Sequence, residues 1–593
     1  MNLIKKMSRT EESRENSKQE WIRGVNIGGW LVLERFIIPY FFALTDCHLR
    51  GDFFYYKGQI NAPPTSSPNY KLMDETAFTN CKPVSPYPVD QYTLTNAFND
   101  KDIAKDYMEV HWDNFVTRDD IRKIKEDGGI THVRVPLGHW IMGDIREGEP
   151  WVNGEWPYFK RFVGWCREEG IQVWPDLHTA PGSQNGFDNS GHLLDFPTCH
   201  GWDLDNASAT DDTPFPVDAS GDIILSSNVL RTLKAVDDIT SAIAKDGMND
   251  VVTGFGVLNE PFANCNPKVV RKFDTMALQI VRKNMGAKTH VYIGDLFNAT
   301  KWNDGFWTNE KFEGTYLDSH YYHVFDERPR HISPRQHIAL VCQKNHRNTV
   351  ACCHEDDPIK TIPSKGISRI IGEWSASFDT LVCDKLDVVM AGIAANGTAP
   401  EFDRQISPLR QSFLRNFVEA QMVSYEAADG GVSSGWFYWT FKMEGGAFAE
   451  WNFLRGLEEG WIPKIPLPQT ASTELYGSCY DIIFRTDDDY SIVHEFPDPK
   501  SLNPNNWQGF DIDDDVVVSH GESLTMGVNG QWYDDEVTKG LSMYDGVMVT
   551  AVVLCFVGIL RLSARRYAYS RKGYYSIQDS GSIDGSLELI DED

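Results

Sequence analysis

The chain has 593 residues, which is enough for a large buried core, built either as several average domains or as one α/β barrel with insertions. Its 56 Lys and Arg residues against 85 Asp and Glu residues give a net charge of −29, which repels phosphate backbones and excludes nucleic acid as an expected partner. Aromatic residues make up 12% of the chain and include 18 Trp, more than a core requires, and surplus exposed rings often stack on the apolar faces of ligands.

The N-terminal part of the chain changes character at Trp21. Residues 1–19 are polar and contain no apolar stretch of the kind found in a secretory signal peptide. From residue 20 to residue 485, short β-rich runs alternate with longer amphipathic stretches. This alternation predicts parallel strands covered by helices, and we interpret residues 20–485 as one domain.

Eight short runs rich in β-branched and aromatic residues are the strand candidates of this domain. Eight parallel strands that alternate with helices predict the α/β class and a closed (β/α)8 TIM barrel. The candidates are 22–27 (IRGVNI), 131–136 (THVRVP), 171–178 (IQVWPDLH), 251–259 (VVTGFGVLN), 290–295 (HVYIGD), 316–322 (YLDSHYY), 368–374 (SRIIGEW) and 434–441 (SGWFYWTF).

Four stretches between the strands have helical spacing, and each ends in a Gly suited to a C-cap. They are RDDIRKIKEDGG, PYFKRFVGWCREEG, NVLRTLKAVDDITSAIAKDG and PKVVRKFDTMALQIVRKNMG. The stretch from Cys47 to about Lys105 is too long for a simple loop and is rich in Pro, Tyr and Asn. We interpret it as an insertion after the first strand that lies over the top of the barrel.

The C-terminal part of the chain has three segments. Residues 486–543 carry many more acidic than basic residues, which predicts an acidic linker. Residues 544–562 contain the uncharged run GVMVTAVVLCFVGIL, which predicts one transmembrane helix although the run is shorter than the roughly 20 apolar residues of a typical span. The alternative is a buried helix of a soluble domain. A basic cluster follows the run, so the positive-inside rule places the tail, 563–593, in the cytoplasm and the barrel in the lumen or outside the cell.

Two further features are consistent with a lumenal or extracellular barrel. Glycosylation sequons begin at Asn206, Asn298 and Asn396, all before the predicted span. Of eleven cysteines, Cys555 lies in the span, which leaves an even number for disulfides in an oxidising compartment, with the pairing left open. The run CCHEDD lacks the ligand spacing of a zinc site, so we expect disulfide bonding there and no metal.

Two carboxylates fall at the C-terminal ends of predicted strands, where barrel active sites collect. Glu260 follows the fourth strand within Asn259-Glu260-Pro261, and Glu373 closes the seventh. Facing carboxylates serve glycoside hydrolysis, one as proton donor and one as nucleophile, and a separation of roughly 5 Å gives retention through a covalent intermediate. The alternative is a buried ion network in which either Glu pairs with an Arg. The amide of Asn259 is placed to bridge a sugar hydroxyl and the carboxylate, and Pro261 turns the chain.

Several motifs carry a family resemblance over about Trp21 to Tyr480. They are RGVNIGGWLVLE, VRVPLGHW, DLHTAPGSQNGFDNSGH, NEP, DSHYYHVF, GEWSAS and GWIP. With them the chain resembles glycoside hydrolase family 5, and within it the eukaryotic exo-1,3-β-glucanases. The tripeptide NEP is common among barrel glycosidases, whereas the run DLHTAPGSQNGFDNSG is specific to this group.

The resemblance implies a role for each matching residue. Glu260 would be the acid/base and Glu373 the nucleophile. Glu34 and Asn189 would hold the sugar at the non-reducing end, which makes cleavage exo. Phe187 and Phe325 would grip the next glucose at the entrance. The remaining pocket residues would be Arg134, His178, Asn259, His320, Tyr322 and Trp439.

Some of these residues have alternative interpretations. Arg134 is also suited to bracing the carboxylate of the nucleophile. His320 and Tyr322 alternate on one strand and so point to the same side, as a pair of core residues also would. Trp436 and Trp374 are alternatives to Trp439 as the ring on which the sugar stacks, and a further alternative is that Trp439 is simply a core residue.

The sequence therefore predicts a membrane-anchored retaining exo-1,3-β-glucanase that releases terminal glucose from β-glucan and uses no metal or organic cofactor. Two alternatives within enzymes are a β-glucan transglycosylase and a glucosidase of another β-linkage. An alternative of another class is a non-catalytic glucan-binding receptor, although a binder requires neither Glu260 nor Glu373. The insertion after the first strand leaves the depth of the pocket open.

Overall fold

A computed structural model describes most of the chain between Trp21 and Arg485. The described residues are 21–43, 88–194, 199, 217–297, 299–302, 305–308, 310–324, 334–342, 367–378, 406–426, 433–444, 448–465, 470–485, 525–526 and 532–533. The N-terminal 1–19, the predicted span 544–562, the tail 563–593, the sequon asparagines, the CCHEDD run and all but four residues of the linker lie outside them. Within the described part, no helix has both the length and the apolar composition needed to cross a bilayer.

Eight parallel strands form a closed barrel in chain order, as predicted. Each strand pairs with the next, and the first closes the ring against the eighth. The strands are β1 (Ile22–Asn26), β2 (His132–Leu137), β3 (Gln172–Leu177), β4 (Gly254–Gly256), β5 (His290–Gly294), β6 (Thr315–Tyr321), β7 (Ser368–Trp374) and β8 (Gly435–Tyr438). In the linker, β9 (Thr525–Met526) pairs antiparallel with β10 (Trp532–Tyr533).

The fourth strand is regular over only three residues, shorter than the predicted 251–259. Its backbone still bonds to both neighbours beyond that stretch, because Val257 N donates to Tyr292 O at 3.1 Å and Asn259 N donates to Leu177 O at 2.9 Å. Within the regular part, Gly254 packs closely on β3, since a Cβ there would lie 2.5 Å from the ring of Trp174. The chain that leads to Glu260 is therefore paired with its neighbours but lies outside regular strand geometry.

Helices follow the strands and include the four predicted ones as α4 to α7. They are α1 (Pro39–Ala43), α2 (Gln91–Ala97), α3 (Lys101–Asn114), α4 (Arg118–Glu126), α5 (Trp156–Glu169), α6 (Ser227–Lys245), α7 (Pro267–Met285), α8 (Pro334–Cys342), α9 (Pro408–Tyr425), α10 (Phe453–Glu459), α11 (Ser472–Tyr476) and α12 (Cys479–Ile483). The predicted insertion from Cys47 to about Lys105 therefore includes α2 and the first turn of α3. Ala104 and Met108 are both buried and lie four residues apart, which is helical spacing. This spacing indicates that the insertion ends where α3 begins, before the predicted boundary at Lys105.

The core has two parts. One cluster contains Ile22, Trp174, Tyr292, Ile370 and Phe437, contributed by β1, β3, β5, β7 and β8, so these side chains fill the barrel. A larger cluster packs the outer faces of the strands against the helices. The filled interior forms a closed floor beneath the polar residues at the C-terminal ends of the strands.

Two disulfides tie distant segments together in the part of the chain that the structure describes. Cys199 bonds Cys265, and Cys342 at the end of α8 bonds Cys479 at the start of α12. Cys166 in α5 is buried with a free thiol. The number of cysteines outside the predicted span is even, but these cysteines are therefore not all paired in disulfides.

Candidate active site

Glu260 and Glu373 lie at the C-terminal mouth of the barrel. Glu373 is the penultimate residue of β7, and Glu260 follows β4 by four residues. One carboxylate oxygen of Glu260, one carboxylate oxygen of Glu373 and one ring nitrogen of His320 all lie within 4.8 Å of one another. The structure thus brings two carboxylates from different strands to a single point.

Both oxygens of Glu373 accept hydrogen bonds. Arg134 Nη1, from β2, donates to Oε1 at 2.8 Å, and the hydroxyl of Tyr322, just after β6, donates to Oε2 at 2.8 Å. Burial raises the pKa of Glu373, and the charges of His320 and Arg134 oppose that rise without cancelling it. The predicted bracing of this carboxylate by Arg134 is present in the geometry.

Arg134 is itself fixed by several polar residues, and apart from Asn259 the sequence analysis did not single them out. Its guanidinium donates to Asn26 Oδ1 at 2.9 Å and to Asn259 Oδ1 at 2.7 Å. It also lies 3.2 Å from Asp176 and 3.8 Å from Asp318. Burial lowers the pKa of Arg134. The charges of the surrounding carboxylates, with Asp176 the strongest, raise this pKa by more than burial lowers it, so the guanidinium stays charged.

Glu260 is held differently. Its φ of 43° lies in the left-handed region, which a non-glycine residue seldom adopts. Pro261 packs on Gly294 at the end of β5, where a Cβ would lie 2.6 Å from the proline ring. In the carboxylate, Oε1 lies 2.7 Å from His320 Nδ1 and Oε2 accepts from Asn189 Nδ2 at 2.8 Å. The proline and the glycine thus turn the chain so that the carboxylate faces the mouth.

His320 links the two carboxylates. Its Nδ1 is 2.7 Å from Glu260 and 3.3 Å from Glu373, and its Nε2 is 3.4 Å from Asp318. Burial lowers the pKa of His320, but the charges of Glu373 and Asp318 raise it well above its ordinary value. Burial raises the pKa of Glu260, but the hydrogen bond and charge of His320 bring it below its ordinary value.

The same three side chains have the spacing of a possible cation site. A metal ligand must offer a neutral ring nitrogen, whereas His320 is surrounded by carboxylates that favour its protonated form. Arg134 and Tyr322 already occupy both oxygens of Glu373. This donor set favours proton transfer over cation binding.

His178, Asn259 and Trp439 form one side of the mouth. His178 Nδ1 lies 3.0 Å from Asp176, and its Nε2 is 3.4 Å from the amide nitrogen of Asn259. The Trp439 ring lies parallel to the His178 ring, with centroids 5.7 Å apart. The alternatives Trp374 and Trp436 are fully buried and pack edge to face on each other, so Trp439 is the tryptophan of the three beside the site.

Glu34 is buried close to the other carboxylates, and its Oε1 has no hydrogen-bond partner among the described residues. Burial, and then the charges of Asp188 and Glu373, raise the pKa of Glu34 well above its ordinary value. Asp188 and Asn189 lie in a short 3₁₀ turn, Asp188–Ser190. Asp188 was not predicted as a site residue, although its place beside Asn189 in the DNS motif was the available signal.

Phe187 lies in an aromatic cluster with two residues that the sequence analysis missed. Its ring contacts Phe262 and Phe297 edge to face, with centroids 5.6 Å and 6.2 Å away. Phe262 follows Glu260 by two residues and Phe297 follows β5, so only the fold brings them together. The predicted partner Phe325 lies outside the described residues.

The chain is similar to several known proteins. Residues 97–400 match the family described as Cellulase (glycosyl hydrolase family 5). A crystal structure of rutinosidase from Aspergillus niger aligns with a TM-score of 0.48 at 15% identity, covering 75% of this chain and 98% of that one. The glucan 1,3-beta-glucosidase of Yarrowia lipolytica is 31% identical over 470 residues, which cover 76% of this chain and 90% of that protein.

A second relative, the glucan 1,3-beta-glucosidase of Blumeria graminis, is 29% identical over 462 residues, covering 75% of this chain and 87% of that protein. The family match spans more than half of the chain, and the Yarrowia lipolytica relative aligns over most of its own length. The chain therefore belongs to glycosyl hydrolase family 5 and is a glycoside hydrolase.

Proposed function

We propose that this glycoside hydrolase is a retaining exo-1,3-β-glucanase that removes glucose from the non-reducing end of β-glucan. The observation that carries the proposal is the approach of the two carboxylates, with oxygen atoms within 4.8 Å. Retaining enzymes place their carboxyl groups roughly 5 Å apart, whereas inverting enzymes need roughly 6.5–9.5 Å to admit a water molecule. The relatives named as glucan 1,3-beta-glucosidases support the choice of substrate.

In this mechanism Glu373 is the nucleophile that attacks the anomeric carbon. Its two oxygens accept from the guanidinium of Arg134 and the hydroxyl of Tyr322. Hydrogen bonds to a charged oxygen are stronger than those to a neutral one, so both bonds stabilise the carboxylate over the protonated group. The contacts therefore favour the ionised form, although burial alone raises the pKa of Glu373.

Glu260 is the acid/base. In the free site the pKa of Glu260 lies below its ordinary value and the pKa of Glu373 above it, the reverse of what proton donation by Glu260 requires. The imidazolium of His320, 2.7 Å away, accounts for this order, since it stabilises the ionised form of Glu260. We propose that the catalytic proton resides on His320 before substrate binds and moves along this hydrogen bond to Glu260.

The reaction then takes two displacements. Protonated Glu260 gives its proton to the glycosidic oxygen while a Glu373 oxygen bonds to the anomeric carbon and the glycosidic bond breaks. Glu260, now ionised, takes a proton from water, and the resulting hydroxide oxygen displaces Glu373 to release glucose with the β configuration. The proton that Glu260 takes from water then passes back to His320, so each group returns to its starting protonation state.

The exo action rests on Glu34 and Asn189. The buried Glu34 Oε1 has no partner in the described part of the chain, as an acceptor reserved for a sugar hydroxyl would require. Asn189 donates to Glu260 in the free site and is placed to exchange that bond for one with the bound sugar. Trp439, beside His178, would support the apolar face of the same sugar ring.

We also propose that the barrel lies in the lumen or outside the cell, anchored by the segment 544–562 through the acidic linker. The uncharged run and the basic cluster after it support this orientation. Alkaline carbonate extraction tests the anchor: the full chain should stay with the membrane pellet, and a chain ending at residue 543 should be released. Release of both chains would contradict the membrane anchor and would leave the proposed reaction mechanism unaffected.

The function is tested with laminarin and the purified full chain. We expect single glucose units as the initial product, and we expect Glu373→Gln to abolish their release while its melting temperature stays close to that of the unaltered chain. Oligosaccharides as the initial products would contradict exo cleavage. Transfer of glucose to added acceptor sugars in preference to water would favour the transglycosylase alternative.

A further inference from the structure

The backbone of Glu260 is held by a loop that follows a different strand. Gln184 and Asn185 lie between β3 and the Asp188–Ser190 turn, in the motif GSQNG. Both side chains are fully buried although they are polar. Burying such amides is costly unless they are hydrogen-bonded, so their partners indicate what the loop stabilises.

Gln184 joins the ends of β3 and β4. Its Nε2 donates to the carbonyl of His178 at 2.9 Å and to the carbonyl of Asn259 at 2.9 Å. Its Oε1 accepts from the backbone of Ala180 at 3.0 Å. Its own carbonyl accepts from Phe262 N at 3.1 Å, so the segment around Glu260 is bonded on both sides.

Asn185 reaches Glu260 directly. Its Nδ2 donates to the carbonyl oxygen of Glu260 at 3.0 Å, and its Oδ1 accepts from the backbone of Phe187 at 2.9 Å. Together the two amides bond the carbonyls of Asn259 and Glu260, the groups on either side of the unusual φ. Neither side chain bonds a carboxylate of the site in the described structure.

These bonds bear on catalysis because of the backbone of Glu260. A non-glycine residue in the left-handed region persists only where its surroundings hold it there. Relaxation of this φ would swing the carboxylate away from His320 and from the glycosidic oxygen. A displacement of about 1 Å is enough to cost roughly 10²-fold in rate.

We propose that Gln184 and Asn185 are positioning residues that hold Glu260 in the conformation from which it protonates the leaving group. This inference rests on the acid/base role proposed for Glu260. We expect proton donation by Glu260 to depend on Gln184 and Asn185, whereas attack by Glu373 should not depend on them.

The test uses the full chain and two aryl β-glucosides. Phenol is a poor leaving group that needs a proton from the acid, whereas dinitrophenol is acidic enough to depart without one. The comparison uses kcat/KM, which reports the first displacement alone, because Glu260 also acts as base in the second. We expect Asn185→Ala and Gln184→Ala to lower kcat/KM for the phenyl glucoside by about tenfold or more and that for the dinitrophenyl glucoside by less than about threefold. A partly unfolded sample lowers both rates equally, so the ratio of the two rates is independent of folding.

Two further variants fix the interpretation. Glu260→Ala should show the same selectivity with a larger loss on the phenyl glucoside, about 10²-fold or more. Gln421→Ala is the matched control, because Gln421 is equally buried but donates to the carbonyl of Ser375, on the Glu373 side of the mouth. Its ratio of rates should equal that of the unaltered chain.

The outcomes separate the two claims. Equal losses on both substrates for Glu260→Ala would overturn the acid/base role and the proposed mechanism with it. Selectivity for Glu260→Ala without selectivity for Asn185→Ala and Gln184→Ala would overturn the positioning role alone. The same selectivity in Gln421→Ala would also overturn it, because the effect would then be common to any buried amide near the mouth.

Discussion

Glu373 and Glu260 are held by two different kinds of structure. Glu373 is paired within strand β7, beside a shift in the strand's register, and its donors are a guanidinium and a phenol. Glu260 lies beyond a three-residue strand at a φ of 43°, its carboxylate bonds His320 and the amide of Asn189, and the amide of Asn185 bonds its backbone. Arg134 is a permanent cation that keeps its protons, whereas the imidazolium of His320 can pass its proton to Glu260. The first arrangement suits a group that stays ionised until it attacks, and the second a group that gains and loses a proton.

The different roles of Glu373 and Glu260 are tested most directly by replacing each residue with alanine and adding azide. We expect Glu373→Ala to lose roughly 10⁴-fold of its activity, and azide to enter from the vacated side and give α-glucosyl azide from an activated glucoside. Glu260→Ala should still form the glycosyl-enzyme, so azide should enter from the opposite side and give β-glucosyl azide. Proton NMR of the azides distinguishes the two. The same anomer from both variants would contradict the division of roles.

A smaller effect is expected from Arg134→Lys. This substitution tests whether Arg134 supports Glu373 and not the acid Glu260. Lysine keeps the charge but cannot contact Glu373, Asn26 and Asn259 together, as Arg134 does. We expect a loss of about 10²-fold in kcat/KM that is the same for the phenyl and dinitrophenyl glucosides, because attack by Glu373 is needed for both. A loss confined to the phenyl glucoside would place Arg134 with the acid.

The smallest expected effect concerns His320, the contact that the two carboxylates share. Its pKa in the folded protein lies above the ordinary 6.5, because Glu373 and Asp318 outweigh burial. A raised histidine pKa adds stability that is full below pH 6.5 and is lost as the pH rises through the folded value. The melting temperature of the unaltered chain should therefore exceed that of His320→Gln most at low pH, and the difference should shrink as the pH rises.

His290 provides the matched control for this pH dependence. Burial lowers its pKa, so its folded state binds a proton less readily than the unfolded chain. Its contribution should therefore grow with pH across the same range, opposite in sign to that of His320. Parallel pH profiles for His320→Gln and His290→Gln would contradict the assignment of a protonated His320 between the carboxylates.

Much of the barrel and the main carboxylates could be predicted from the sequence. Strands appear as apolar runs, and a carboxylate directly after such a run, as at Glu260 and Glu373, falls at the mouth of a barrel. Asn26 and Asp176 also interrupt apolar strands, and that signal was available although it was not used. Their inward position makes them partners of Arg134.

The loop contacts could not be predicted in this way. The bonds from Gln184 and Asn185 to β4 join residues 75 positions apart, and no periodic pattern encodes them. Strand length was also overestimated at β4, because Val257 and Leu258 continue the apolar run although they lie outside regular strand geometry. The free thiol of Cys166 likewise depends on its burial in α5, which a count of cysteines does not contain.

The central claim is that Glu373 forms a covalent bond to the sugar. The most direct measurement is mass spectrometry of peptides after treatment with a dinitrophenyl deoxyfluoroglucoside, whose fluorine slows breakdown of the glycosyl-enzyme more than its formation. We predict one added sugar per chain, on the peptide that contains Glu373, with activity lost in proportion. Turnover of the reagent without any adduct, or an adduct on a different residue, would contradict the account.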